Sequence, residues 1–218
     1  MAIASVMAVI VLTIISAVAG TMLPEGTQLP IHWGLSGEPD DFADKWVALA
    51  LPPAMVAGVS LLFYFLPSLE PRRQGLKRSQ GLYLWGWAAI LMIGAAIQIA
   101  VLSEAFGWDV PVNRLVAGAV GVMLAMIGNQ LSKSRSMYMV GIRTPWTLAS
   151  EEVWIKTHRL GGKLMVLGGL ALVAAALLPL PPAWLGIVAL FAILLGAVVP
   201  ILYSFIAWRR EQADQARG

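Results

Sequence analysis

Six apolar runs of about 20 residues constrain this chain more than any other feature. A soluble helix needs a polar face, whereas an uninterrupted apolar run of this length matches the roughly 30 Å hydrocarbon core of a bilayer. The runs cover approximately residues 2–23, 46–66, 81–102, 112–131, 164–180 and 184–207. Only 12% of the residues are charged, against about 25% in ordinary soluble domains. We therefore predict an all-α, polytopic integral membrane bundle of six transmembrane helices, in contact with the lipid bilayer over most of its surface.

The basic residues predict the orientation of these helices. Cytoplasmic N and C termini place 13 of the 15 Lys and Arg on the inner side, and only Lys45 and Arg114 remain outside. The positive-inside rule favours this arrangement over its reverse. The first run has no Lys or Arg before it and is longer than the apolar part of a signal peptide, so we expect an uncleaved helix. We predict a multi-pass membrane protein.

Two long polar segments divide the chain into two predicted regions. Residues 1–66 form a helix–loop–helix unit with an ordered extracellular loop at 24–45, and residues 67–218 contain spans 3 to 6 and a cytoplasmic loop at 132–163. Seven carboxylates fall on the outer side and make that face acidic: Glu25, Glu38, Asp40, Asp41, Asp44, Glu104 and Asp109.

Catalytic and metal-binding patterns are missing from the sequence. The chain has no cysteine, and no HExxH, GxSxG or P-loop motif occurs. His32 and His158 fall on opposite sides of the predicted membrane, so they cannot share a metal. No Asp, Glu, Lys or His lies in the middle of an apolar run, which argues against a proton-coupled pump. We expect no catalytic residues, no cofactor, no metal and no direct binding of nucleic acid.

Polar and small residues within the helices leave two questions open. Gln98, Asn129 and Gln130 either bond between helices or line the path of a small channel or exporter. Ala117, Gly121 and Ala125 recur every four residues, which lets another helix approach closely. That helix belongs either to the same chain or to a second copy in a homo-oligomer.

The outer loop "LPEGTQLPIHWGLSGEPDDFADKW" predicts an ordered cap. Its prolines break helices, its glycines allow sharp turns, and disordered segments are poor in the apolar residues that it carries. Ile31, Trp33 and Phe42 either rest on the membrane surface or form a recognition face.

In the inner loop, "GIRTPWTLASEEVWIKTHR", Thr144-Pro145 predicts an extended or turn conformation, because the residue before proline avoids the α region. Ser150 followed by Glu151 and Glu152 predicts the N-cap of a short interfacial helix over Glu151–Leu160, ended by two glycines. Attraction to anionic lipid explains the basic residues of this helix, but it does not explain "GIRTPWTL".

Together, the inner motif, the "IGN" before it and the outer "LPIHWGLSGEPDDFADKW" resemble the SdpI family of bacterial membrane proteins, with the domain of unknown function found in the same proteins. The likeness covers essentially the whole chain. The family often has Asn at two positions that are Met137 and His158 here. The resemblance implies a six-span protein of the bacterial plasma membrane that gives immunity to a membrane-active peptide toxin and signals by holding a cytosolic repressor at the membrane. A purely structural interaction protein is the remaining alternative.

This resemblance, with the loop analysis, assigns candidate site residues to three places. The predicted inner docking loop comprises Gly141, Arg143, Thr144, Pro145, Trp146, Thr147, Glu151, Trp154 and Arg159, beside the family's Ile142. At the end of span 4 lie Gly128 and Asn129. The predicted outer recognition loop comprises Pro30, His32, Trp33, Gly37, Glu38, Pro39 and Trp46. Arg143 is expected to pair bidentately with a carboxylate, either a partner's or its own Glu151 or Glu152.

Overall fold

A computed structural model describes residues 1–34 and 37–217. Within these residues, six helices are long and apolar enough to cross a membrane, which confirms the predicted polytopic helical membrane protein. They are α1 (Ala2–Met22), α2 (Lys45–Leu69), α4 (Gln80–Phe106), α5 (Val112–Leu131), α7 (Glu151–Leu177) and α8 (Pro182–Gln215). Two short helices, α3 (Arg73–Arg78) and α6 (Pro145–Ala149), and two strands, β1 (Gln28–Trp33) and β2 (Pro39–Asp44), lie in the connections.

The proline pair in α2 is absorbed by packing against α1. Pro53 has no N–H, so the carbonyl of Leu49 lacks its usual donor within the helix. The hydroxyl of Ser16, on α1, donates a hydrogen bond of 2.6 Å to that oxygen, and Ser16 also bonds the Gln98 amide oxygen on α4 at 3.3 Å. Gln98 therefore bonds between helices, as one of the two interpretations of its side chain predicted.

Close packing of α5 and α7 depends on small residues in both helices. A Cβ at Gly121 would lie 2.8 Å from the carbonyl oxygen of Gly169, and a Cβ at Gly128 would lie 2.7 Å from that of Gly162. Ala125 also contacts Gly169. The small-residue face of α5 therefore packs against a helix of the same chain.

The outer loop forms an antiparallel hairpin, in which Gln28 pairs with Asp44 and Trp33 pairs with Pro39. Leu29 is buried together with Ala19, Leu49 and Val101 at the outer ends of three helices, and Ile31 and Trp33 pack against the same group. The described residues of the outer loop therefore form a hairpin that packs on the helix ends. Most of its apolar residues face the protein, although Phe42 remains 51% exposed.

The predicted boundary between an interfacial helix and the fifth span is wrong. A short helix does precede the span, but it is α6, and Glu151–Leu160 forms the first turns of the continuous helix α7. Gly161 and Gly162 are buried inside α7 and do not end a helix. Gly161 lies against Ile142 and Pro200, and Gly162 lies against Gly128, so these glycines provide close packing and make no turn.

Candidate functional site

The Thr144-Pro145 turn of the inner loop begins α6 through a capping box. The backbone N–H of Thr144 donates to Thr147 Oγ1 at 2.8 Å, and the Thr147 backbone N–H donates to Thr144 Oγ1 at 3.2 Å. Pro145 occupies the first helical position, where its missing N–H costs nothing. Thr147 is completely buried, and its hydroxyl donates to the carbonyl of Ile142 at 2.9 Å. These residue types are therefore required by the local fold.

Gly141 and Ile142 lie against a buried aromatic pair in the first turns of α7. Trp154 and His158 are both fully buried and stack with ring centroids 3.9 Å apart. His158 Nε2 accepts the backbone N–H of Ile142 at 2.8 Å, and Nδ1 lies 2.8 Å from the carbonyl of Trp154. Since a carbonyl can only accept, Nδ1 carries the proton and the imidazole is neutral. Gly141, at φ 118°, leaves no room for a Cβ above this pair.

Glu70 and Arg72, which the sequence analysis missed, hold the other side of the loop. Glu70 is 1% exposed, and its carboxylate accepts the backbone N–H groups of Arg72 at 2.8 Å, Tyr138 at 3.0 Å and Met139 at 2.7 Å. Arg72 donates to the Ser136 hydroxyl and, at 3.1 Å, to the carbonyl of Leu148. One signal was available, because Glu70 is a lone carboxylate directly after an apolar run on a side otherwise rich in basic residues.

We define the inner clasp as residues 134–147 together with Glu70, Arg72, Trp154 and His158. It is fastened to α8 through Trp146, whose indole N–H donates to the hydroxyl of Ser204 and whose ring lies 5.2 Å from that of Phe205. Below it, Ser150 caps α7 and donates to a Glu211 carboxylate oxygen at 2.7 Å. The clasp therefore joins the inner ends of α2, α7 and α8.

Arg143 is exposed and does not form the internal ion pair that was one of its two expected pairings. Its guanidinium donates to the carbonyl oxygen of Tyr138 at 2.7 Å. Glu151 instead accepts the Ser136 backbone N–H at 3.3 Å, and Glu152 pairs with Lys156 at 2.6 Å. The alternative, a carboxylate supplied by a partner, stays a prediction.

The structure separates the remaining inner candidates. Gly128 is buried against α7, whereas Asn129, one residue later, is exposed. Arg159 is also exposed and makes no ion pair or hydrogen bond within residues 1–34 and 37–217. Packing therefore accounts for Gly128, and the exposed Arg159 is available for contact outside the chain.

The polar residues proposed for a channel do not lie together. Gln98 is 2% exposed and bonded to Ser16, while Gln130 contacts Gly81 in the first turn of α4. At 1.5 Å per residue, positions 81 and 98 are roughly 25 Å apart along the helix. The structure therefore gives no support to a polar path through these side chains.

On the outer face, the hairpin covers an apolar cavity of about 400 Å³. Its walls come from β1, α4, α5, α7 and α8, and include Ile31, Trp33, Val116 and Ala189. The Trp33 indole nitrogen is buried and has no hydrogen-bond partner in the described part of the chain. The cavity walls are mostly apolar, and the polar residues His32 and Asn113 also line it.

The other outer candidates build the hairpin and its surface. Pro30 is buried in β1, Gly37 has φ 85° in the connection, and Pro39 pairs with Trp33. His32 and Glu38 are exposed, with His32 Nδ1 2.5 Å from an Asp40 carboxylate oxygen. Trp46 is 45% exposed and packs against Gly20. Within the described residues no group of three or more His, Asp or Glu could hold a metal ion.

Comparisons with known proteins assign the two regions separately. Residues 133–204 match the model of the SdpI/YfhL protein family, and residues 7–57 match a domain of unknown function, DUF1648. The chain is also 24% identical over 188 residues to "Immunity protein SdpI" from Bacillus subtilis (strain 168), which covers 86% of each chain. No solved structure matches. The first match contains α6 and α7, and the second contains the hairpin.

Proposed function

Because the chain belongs to the SdpI family, we propose that it protects a bacterial plasma membrane from a membrane-active peptide toxin. The related Bacillus subtilis protein is named an immunity protein. The structural observation that carries this proposal is the outer cavity, because a secreted toxin meets that face of the molecule first.

The chemistry of the outer face fits an apolar peptide. A cavity of about 400 Å³ with mostly apolar walls takes a few apolar side chains of a peptide. Asp40, Asp41 and Asp44 are exposed on β2, so the surroundings of the cavity are acidic and attract a cationic peptide. Binding there removes the peptide from the lipid that it would otherwise disrupt.

The test is the survival of cells that produce the protein when they are challenged with the secreted peptides of the bacterium that carries its gene. Cells with an empty vector set the baseline, and the amount of protein in the membrane is measured in every culture. The proposal expects protection by the intact protein. Survival equal to that of the vector cells against every peptide would overturn it.

A signalling role at the inner face is a second candidate function. The guanidinium of Arg143 is exposed beside Tyr138 and Met139, which are 41% and 38% exposed. A fixed guanidinium next to apolar surface suits an acidic segment of a cytosolic repressor. The test is co-sedimentation of a repressor encoded beside this gene with membranes that contain the protein, in the presence of toxin. No co-sedimentation removes the signalling role and leaves the immunity proposal standing.

A further inference from the structure

A second cavity, of about 570 Å³, lies beside the inner clasp and differs in chemistry from the outer one. Its walls include Arg72, Arg73 and Arg78 from the connection between α2 and α4, and Arg135 and Ser136 from the clasp. The first turns of α7 contribute Glu151 and Ile155. Four guanidinium groups therefore surround one carboxylate.

The guanidinium groups differ in how far their donors are already used. The Arg72 guanidinium donates to Ser136 and to the Leu148 carbonyl. The Arg135 guanidinium lies 4.0 Å from the Glu151 carboxylate and partly offsets its negative charge in the cavity. Arg73 and Arg78 are exposed and form no hydrogen bond or ion pair with any described residue. Two guanidinium groups with free donors thus flank a cavity with a net positive wall.

The cavity lies on the side of the bundle that the basic residues assign to the inner leaflet. It lies where α2 has ended, α4 has not yet begun and α7 starts, so it is next to the ends of three spanning helices. Pro71 and Ile155 give it an apolar border. Basic cavities between transmembrane helices on the cytoplasmic side suit anionic headgroups, and an arginine binds two phosphate oxygens at once.

We infer that this cavity is a phosphate site, which binds the headgroup of an anionic phospholipid through Arg73 and Arg78. Arg72 and Arg135 supply further positive charge while they hold the loop. A lipid bound there contacts the connection between α2 and α4, the clasp and α7 together. The site lies apart from the outer cavity and does not depend on toxin binding.

The experiment uses the full chain in nanodiscs of phosphatidylcholine, into which phosphatidylglycerol is introduced in steps. The thermal unfolding midpoint is recorded at each step for the native protein, the double variant Arg73→Gln/Arg78→Gln, and the matched control Arg209→Gln/Arg210→Gln. The control removes the same charge from exposed positions of α8 outside the cavity. Separate samples without phosphatidylglycerol receive inorganic phosphate, or sodium chloride at equal ionic strength.

We expect phosphatidylglycerol to raise the unfolding midpoint of the native protein. The phosphatidylglycerol content that gives half of this rise should be at least about tenfold higher for the cavity variant and within about twofold of the native value for the control. Stabilisation by inorganic phosphate alone would support a phosphate site whose ligand comes from solution. Equal weakening in both variants, or no stabilisation by either ligand, would overturn the site. If the glutamine variant does not fold, Arg73→Lys/Arg78→Lys replaces it. Because lysine cannot bind two oxygens in a fork, we expect a two- to fivefold weakening, and unchanged binding would count against the site.

Discussion

The outer cap and the inner clasp close the two ends of the same bundle by different interactions. The cap rests on apolar contacts with α1, α2 and α4, and it covers an apolar cavity. The clasp is polar: buried Glu70, Thr147 and His158 each bind backbone groups of the loop that they hold. Apolar contacts are non-directional and tolerate an adjustment of shape, whereas buried hydrogen bonds fix a single geometry.

This difference explains why the two ends suit different tasks. The outer cavity is lined mostly by apolar side chains, which suits the binding of an apolar peptide. At the inner end, few conformations satisfy all the buried polar groups, so the backbone that carries Arg143 is held in one geometry. The proposed recognition at the outer face and the proposed docking at the inner face therefore depend on separate structures, and substitutions should affect them separately.

The largest loss of stability is expected for Glu70→Ala. The substitution leaves the backbone N–H groups of Tyr138 and Met139 without their acceptor, and we expect the free energy of unfolding to fall by about 3 kcal/mol. Unfolding in detergent micelles measures this change. Glu152→Ala is the control, because its pair with Lys156 is exposed and worth only about 0.5 kcal/mol. Equal effects of the two substitutions would show that the clasp is not held by Glu70.

Gly141→Ala should come next, at about 2–3 kcal/mol. Its φ of 118° is strained for alanine, and the new Cβ would lie 2.7 Å from His158 Nε2 and 2.8 Å from the Trp154 ring. Gly26→Ala separates the two causes, since Gly26 has φ 76° and nothing within 4 Å of the position of a Cβ, so only about 1 kcal/mol is expected. If both variants unfold alike, contact with the Trp154–His158 stack contributes nothing.

Arg143→Ala should change stability by less than about 1 kcal/mol, because the exposed side chain makes one hydrogen bond to a carbonyl. If the inner face binds a repressor, its co-sedimentation with membranes should fall about tenfold in this variant. Arg143→Lys should also be weaker than the native protein, since lysine cannot pair bidentately. Co-sedimentation unchanged in both variants would mean that a partner binds elsewhere.

The sequence was sufficient for the helices, because apolar run length is a local signal. Turn residues in the outer loop are local signals too, and the described residues there form a hairpin. The predicted run 112–131 and the helix Val112–Leu131 coincide. The boundary at Gly161 could not be predicted correctly, because glycine can end a helix or allow close packing inside one, and the choice depends on Pro200 and Gly128, which are distant in sequence.

For the candidate site, the sequence indicated a loop but not the contacts that each of its residues makes. Thr144, Pro145, Thr147 and Trp154 belong to the predicted docking loop. In the structure Thr144, Thr147 and Trp154 are buried, and Thr144 and Pro145 begin α6. Glu70 was missed because its partners are backbone groups nearly 70 residues away in sequence, and backbone donors leave no pattern in a sequence. The members of the predicted docking loop that remain exposed are Arg143, Pro145, Glu151 and Arg159.

The most direct test of the account changes the outer cavity and leaves both ends folded. Ala189→Leu adds volume in the cavity, and Ala183→Leu, on the same helix, adds the same volume at an exposed position outside it. Toxin-challenged survival is compared at equal amounts of membrane protein, with native protein and empty vector as limits. We predict that cells with the native protein and Ala183→Leu survive, while Ala189→Leu protects at least tenfold less without a loss of unfolding free energy. Equal protection by the two variants would contradict recognition at the outer cavity, and no protection by the native protein would contradict the immunity function itself.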